Sequence, residues 1–238
     1  MSIPSGLSTH PNWLLAALPL EDYQHLVPYF KVKEMALGQV IFEVDEPIEY
    51  VYFPHRSMIS LVALLMDGAS VEVGLIGKEG MVGVQSILDR NTLPYQAVVQ
   101  VPGVATQLPV DRLKAEFERG GALQKMLLRY VQALLIQTAQ SSVCNRVHSI
   151  ETRLARWLLS VQDGSERNEL PLTQEFIAQM LGVRRAGVTV AAIALQRSGL
   201  IQYRRGAITI VNREKLEARA CECHKVIQGA FNQLLGQW

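Results

Sequence analysis

Cysteine is nearly missing from this chain: Cys144, Cys221 and Cys223 are three among 238 residues. So small and odd a number offers no disulfide framework and agrees with a reducing compartment. Histidine is sparse too. His10, His25, His55, His148 and His224 are scattered, so the clustered histidines of a metal-dependent cupin enzyme are not evident. There is no Ser/His/Asp set and no Walker-type loop, and an enzyme is not expected. No apolar run is long enough to cross a bilayer, and the N-terminus lacks a basic-plus-apolar signal. A cytoplasmic location with no membrane partner is expected. Charge is thin at 19% of residues, whereas 49% are hydrophobic, enough for two domains with proper cores.

What the chain does have is concentrated at 172–201, LTQEFIAQMLGVRRAGVTVAAIALQRSGLI. Thr173 can cap a helix whose apolar stripe is Phe176, Ile177, Met180 and Leu181. Gly182 ends it, since glycine tolerates the left-handed backbone of a C-terminal cap. A second helix, from about 184 to 196, has a narrow apolar face of Val188, Ala191, Ala192 and Leu195. Arg184, Arg185 and Thr189 are left exposed at its start. Arginine there can pair with guanine edges in a major groove while nearby N–H groups face phosphates. LIQYRRGAITIV follows Gly199 and reads as a β-hairpin with Arg204 and Arg205 at its basic tip. Helix, tight turn, helix and hairpin in that order read as a winged helix-turn-helix whose partner is double-stranded DNA. Residues 151–238 carry 12 Lys+Arg against 8 Asp+Glu, and residues 1–150 carry 11 against 14. The basic excess lies on the DNA-facing half. It is modest, so two copies side by side are expected to share the phosphate contacts.

Upstream, residues 13–29 read as two short helices split by Pro19. From about Lys31 come the β-rich runs VIFEV, YVYF, MISLVALL, SVEVGLI, YQAVVQV and VATQLPV, separated by turn signals at the spacing of a sandwich or barrel. Asp67-Gly68 marks a hairpin. The segment GKEGMVG at 77–83 is either a turn that closely approaches a ligand or a connection needing positive φ.

Residues 111–147 form the longest helical stretch, broken near Gly120-Gly121. Within it Leu123, Leu127, Tyr130, Leu134, Gln137, Ser141, Cys144 and His148 recur at alternating spacings of 4 and 3, the seam of a two-stranded coiled coil. Met126, Leu128, Val131 and Leu135 make a second apolar strip. One side is expected on the barrel, the seam on a second copy. The seam turns polar at 144–149, where a hinge is expected. An amphipathic helix over 150–161 and a polar loop over 163–169 precede the DNA-binding motif. Residues 215–238 read as one closing helix. On a continuous helix Cys221 and Cys223, in Cys221-Glu222-Cys223-His224, lie about 200° apart. No metal is expected there, and Cys223 is assigned to packing.

A β-barrel, long helix and winged helix-turn-helix in this order resemble the Crp/Fnr family of bacterial transcription regulators, over about residues 13–212. The motif is matched at Thr173, Ile177, Gly182, Arg185, Val188 and from Leu195 to Ile201. The resemblance implies that Arg185 reads a guanine. Ala186 and Val190 stand where the family often has glutamate and a second arginine, which implies a different operator. Gln174, Arg184 and Thr189 are the other groups able to reach bases or phosphates. Cyclic-nucleotide-binding members hold the ribose with a glutamate after a glycine, and the phosphate with an Arg-Ser/Thr pair. Here Gly83 is followed by Val84, and Tyr95-Gln96 stand at the pair. A buried phosphate needs a cation or donor array, so cyclic AMP binding in the family manner is not expected and no cofactor is assigned. The N-terminal cysteines of oxygen-sensing members are missing as well.

The expected fold class is α+β. It comprises N-terminal helices over 1–30, a cyclic-nucleotide-binding-like β-roll (jelly roll) over 31–110, a dimerisation helix over 111–148 and a winged helix-turn-helix domain over 149–238. The expected function is a homodimeric, sequence-specific transcription regulator on a palindromic operator, with RNA polymerase a further partner that the resemblance implies. Its β-roll, with Gly83, Val84, Tyr95 and Gln96 at the pocket, senses an unknown effector or acts ligand-free. A non-cAMP nucleotide and an apolar metabolite both stay open.

Overall fold

The computed structural model describes residues 10–88, 91–204 and 206–235. Two short helices, α1 (Trp13–Ala16) and α2 (Leu20–Leu26), lead into seven strands: β1 (Lys31–Met35), β2 (Val40–Phe42), β3 (Tyr50–Pro54), β4 (Met58–Leu64), β5 (Ser70–Ile76), β6 (Gln96–Val101) and β7 (Gly103–Pro109). They form two antiparallel sheets of order β1-β7-β3 and β2-β6-β4-β5. Alternation decides which side chains enter the core between them, as at Val51 and Phe53 on β3 and Ala97 and Val99 on β6. This is the expected β-roll. Asp67-Gly68 turns the β4–β5 hairpin, with Gly68 at φ +84°. The first strand, KVKEM, gives little sequence signal because it is an edge strand and only Met35 is buried.

A short helix, α3 (Val110–Glu118), and the glycine pair at 120–121 precede the long helix α4 (Ala122–Val147). Here the structure corrects the seam. Leu123, Leu127 and Tyr130 are fully buried within their own subunit. The Tyr130 hydroxyl accepts from the Met81 amide at 3.0 Å and donates to the Met81 carbonyl at 2.9 Å. The Gln137 amide donates to the Leu75 carbonyl, and Leu134 and Ser141 are half-buried. Heptad spacing reports that a stripe is covered, not by what. The cover is the β-roll and the last helix, α9 (Cys223–Leu235), whose Phe231 meets the Tyr130 ring at 6.3 Å. The apolar side chains left outside are Leu128, Leu135, Val143 and Val147.

His148 is extended, and Ser149 caps α5 (Ile150–Ser165) by accepting from the Thr152 amide. That helix runs past the start of the expected polar loop. The second domain continues with β8 (Glu169–Leu170), α6 (Gln174–Leu181), α7 (Arg185–Arg197), β9 (Ile201–Arg204), β10 (Ala207–Ile210) and α8 (Arg213–Arg219). Its three strands form a sheet of order β8-β10-β9. Its core, with Trp157, Leu158, Ile177, Val188 and Leu195, is continuous with Met58, Val62, Leu75 and Val101 of the β-roll. No single helix among the described residues is long and apolar enough to cross a membrane.

Candidate nucleic-acid interface and effector pocket

The two helices of the motif meet at 109°. Thr173 caps α6, its Oγ1 accepting from the Phe176 amide at 3.1 Å. Gly182 closes α6 at φ +61°, and the Val183 amide returns to the Ala178 carbonyl. Val188, Ala191, Ala192 and Leu195 of α7 are all buried, so the opposite face points out. Arg184, at the cap of α7, and Arg185, in its first turn, are exposed. Arg185 makes a loose ion pair, 4.0 Å to Glu175. Thr189 donates to Gln174 Oε1 at 2.7 Å, linking α7 to the start of α6. Arg204 is exposed at the end of β9, on the hairpin that continues this surface. Arg205 lies outside the described residues. The same face carries Val190, 70% exposed, and Ile193. Such side chains suit contact with a thymine methyl. Sequence reading noted Val190 as a departure and missed Ile193, whose exposure follows from its position one turn beyond Thr189.

The second site is a cleft of about 390 Å³ between the β-roll and α4. Leu61, Val73, Val84, Leu88 and Tyr95 face it from the roll, and Val131, Leu134, Leu135 and Thr138 from the helix. Of the four residues expected there, the structure brings Val84 and Tyr95 to the cleft. Gly83 instead turns at φ +91° against Val51, Ile48 and Phe42, and Gln96 pairs with Glu43 on the surface. Gln85 donates to the Tyr95 hydroxyl at 2.8 Å, and burial raises that phenol's pKa. Among the described residues no charged side chain lines the cleft. The glycine-rich turn at 77–83 serves close approach of the protein to itself: Gly80 abuts the Tyr130 ring and Gly77 the backbone of Gly164.

Residues 32–119 match the cyclic nucleotide-binding domain, and residues 152–219 match the Crp-like helix-turn-helix domain. The chain belongs to the Crp/Fnr family. Crp/Fnr-type relatives include the global nitrogen regulator of Synechococcus elongatus, 24% identical over 192 residues, covering 76% of this chain and 86% of that one. The CRP-like cAMP-activated global transcriptional regulator of Mycobacterium tuberculosis is 24% identical over 190 residues, 77% of this chain and 85% of that one. Among solved structures, FixK2 from Bradyrhizobium japonicum superposes with a TM-score of 0.69 at 17% identity, covering 81% of this chain and 98% of its own. The c-di-GMP responsive regulator CLP of Xanthomonas campestris gives 0.59 at 16%, covering 80% and 98%. This Crp/Fnr regulator is thus a transcription regulator with a DNA-binding motif behind a cyclic-nucleotide-binding-type domain. Its cleft stands at the β-roll–helix junction, lined by Val84 and Tyr95 but not by Gln96.

One expectation fails in its premise. The closing segment is not one helix: α8 stops at Arg219, Ala220 is extended, and α9 begins at Cys223. His224 turns to Asp163 at 2.9 Å. Cys221 and Cys223 face Cys144 and His148 at the end of α4.

Proposed function

We propose that this chain acts as a homodimer that reads a palindromic operator, each subunit placing α7 in a major groove one helical turn from its twin. The observation that carries this is the exposed pair Arg184 and Arg185 at the head of α7, with Thr173, Gln174 and Thr189 beside them and the Arg204 hairpin flanking. Arg185 reads a guanine, Arg184 and the hairpin hold phosphates, and Val190 and Ile193 favour thymine. The copies pair through the outer strip of α4, with Leu128 and Leu135 at its centre. The effector, taken up in the cleft, is an uncharged or apolar small molecule, because nothing described there would compensate a phosphate. RNA polymerase is the expected downstream partner.

Selection of bound duplexes from a random pool tests the reading. A two-fold symmetric consensus with a guanine in each half-site is the expected product. Enrichment of no sequence above carrier DNA, across salt concentrations, overturns it.

A further inference from the structure

We infer that Cys144, His148, Cys221 and Cys223 form a tetrahedral zinc site that clamps the C-terminal helix pair to the end of α4. This does not depend on how the DNA is read. The four residues lie outside both matched domains, which cover 32–119 and 152–219.

Geometry carries the assignment. Cys144 lies in the last turn of α4, and His148 is the extended residue that caps it, its amide donating to the Cys144 carbonyl at 3.2 Å, which keeps the two side chains side by side. The break between α8 and α9 lets Cys221 and Cys223 turn toward that face. The four ligand atoms all lie within 4.8 Å of one another. Cys144 Sγ is 3.5 Å from Cys221 Sγ, and Cys223 Sγ is 3.6 Å from His148 Nδ1. Zinc–sulfur bonds of about 2.3 Å place the sulfurs of a tetrahedron roughly 3.8 Å apart, so one ion fits. An iron–sulfide cage does not fit between sulfurs this close. All three cysteines are buried. Three thiolates and one imidazole are a closed structural set with no position for water.

The surroundings match. His148 presents Nδ1 to the cluster, and its Nε2 faces Glu222 at 3.3 Å. A carboxylate behind a ligating imidazole fixes the tautomer and strengthens the donor. Gln140 donates its amide N–H to Cys223 Sγ at 3.1 Å, a bond a thiolate accepts well. Zinc entry releases three thiol protons and leaves the complex with one formal negative charge. Arg153 and Arg156 are buried on the helix that starts beside the site, and neither Nε has a hydrogen-bond partner among the described residues. An anionic zinc–trithiolate compensates that buried positive charge.

The site spans the junction of α4 and α5. Cys144 and His148 stand where α4 ends and the DNA-binding domain departs, and the other two hold α9 against the buried stripe of α4. Zinc therefore fixes the DNA-binding domain to the sensor's helix.

The test uses full-length, untagged protein purified without oxygen or chelator. Elemental analysis is expected to give about one zinc per chain, and thiol titration three thiols that react only after strong chelation. Cobalt added to the zinc-free protein is expected to give the visible spectrum of tetrahedral thiolate coordination. Cys144→Ser and Cys221→Ser are expected to lose the metal, and His148→Cys to keep it. Protein that folds yet holds no zinc and gives no such cobalt spectrum overturns the assignment. So does iron with sulfide in place of zinc, a Cys144–Cys221 disulfide found instead of metal, or full zinc content in both serine variants.

Discussion

Trp157 donates its indole N–H to a carboxylate oxygen of Glu72 across 2.9 Å. One residue belongs to the first helix of the DNA-binding domain and the other to β5 of the β-roll, so the bond crosses the domain boundary. Glu72 also accepts from Ser60 at 2.7 Å. Burial raises its pKa from 4.5 to about 7.

The folded state therefore holds this proton more tightly than the unfolded chain does. Stability should fall as pH rises from 4.5 to about 7, and this contribution should be flat above that window. Glu72→Gln keeps an acceptor for Trp157 and removes the charge. Denaturant titrations should show the slope lost and about 3 kcal/mol gained near pH 8. An unchanged pH profile would contradict the assignment.

Trp157→Phe keeps the ring and removes the donor. With a buried acceptor short of one bond, about 1–3 kcal/mol should be lost, and hydrogen exchange should quicken in β5 and α5 before the rest of either domain.

At the DNA face the two neighbouring arginines should separate by kind. Arg185→Ala should cost about 1–3 kcal/mol per half-site and relax the preference for guanine. Arg184→Ala should weaken all sequences alike and reduce the salt slope by about one per subunit. Binding assays on matched and mutated operators at several salt concentrations distinguish them.

On α4, Leu135→Asp should keep the melting temperature and lower self-association, measured by sedimentation. Leu127→Asp, placing a charge in the subunit's own core, should unfold the protein instead. The reverse pattern would restore the seam that heptad spacing suggested.

Close packing at the domain boundary gives another handle. A Cβ on Gly77 would sit 2.6 Å from the Gly164 Cα, and one on Gly164 would run into Met58 Sδ. Gly77→Ala should push the domains apart at a cost of about 1–3 kcal/mol, visible as a larger radius in solution scattering.

The fold was largely legible because its signals are local. Period-two runs, Asp67-Gly68, Gly182 and Pro19 each act within a few residues of where they stand. What escaped depends on distance along the chain. The stripe Leu123–Leu127–Tyr130 says that something covers it, but the cover comes partly from residues about 100 positions later. The cysteine site was hidden for a related reason. Treating 215–238 as one helix separated Cys221 from Cys223, while Cys144 and His148 had already been counted as seam. The break at Ala220, and the turn of His224 toward Asp163, are tertiary outcomes. Exposure at Arg184 and Arg185 was legible because charge at a helix start needs no distant partner to interpret, whereas Thr189 is half-buried and bonded to Gln174.

Leu135 stands on two borders at once: it lines the cleft, and it is 66% exposed on the outside of α4. A molecule settling into the cleft thus handles a side chain that a neighbouring subunit would also grip. News of occupancy then has no wire to travel, since sender and receiver share one leucine. Mutants deaf to the small molecule and mutants unable to pair should accordingly turn up at the same helical turn.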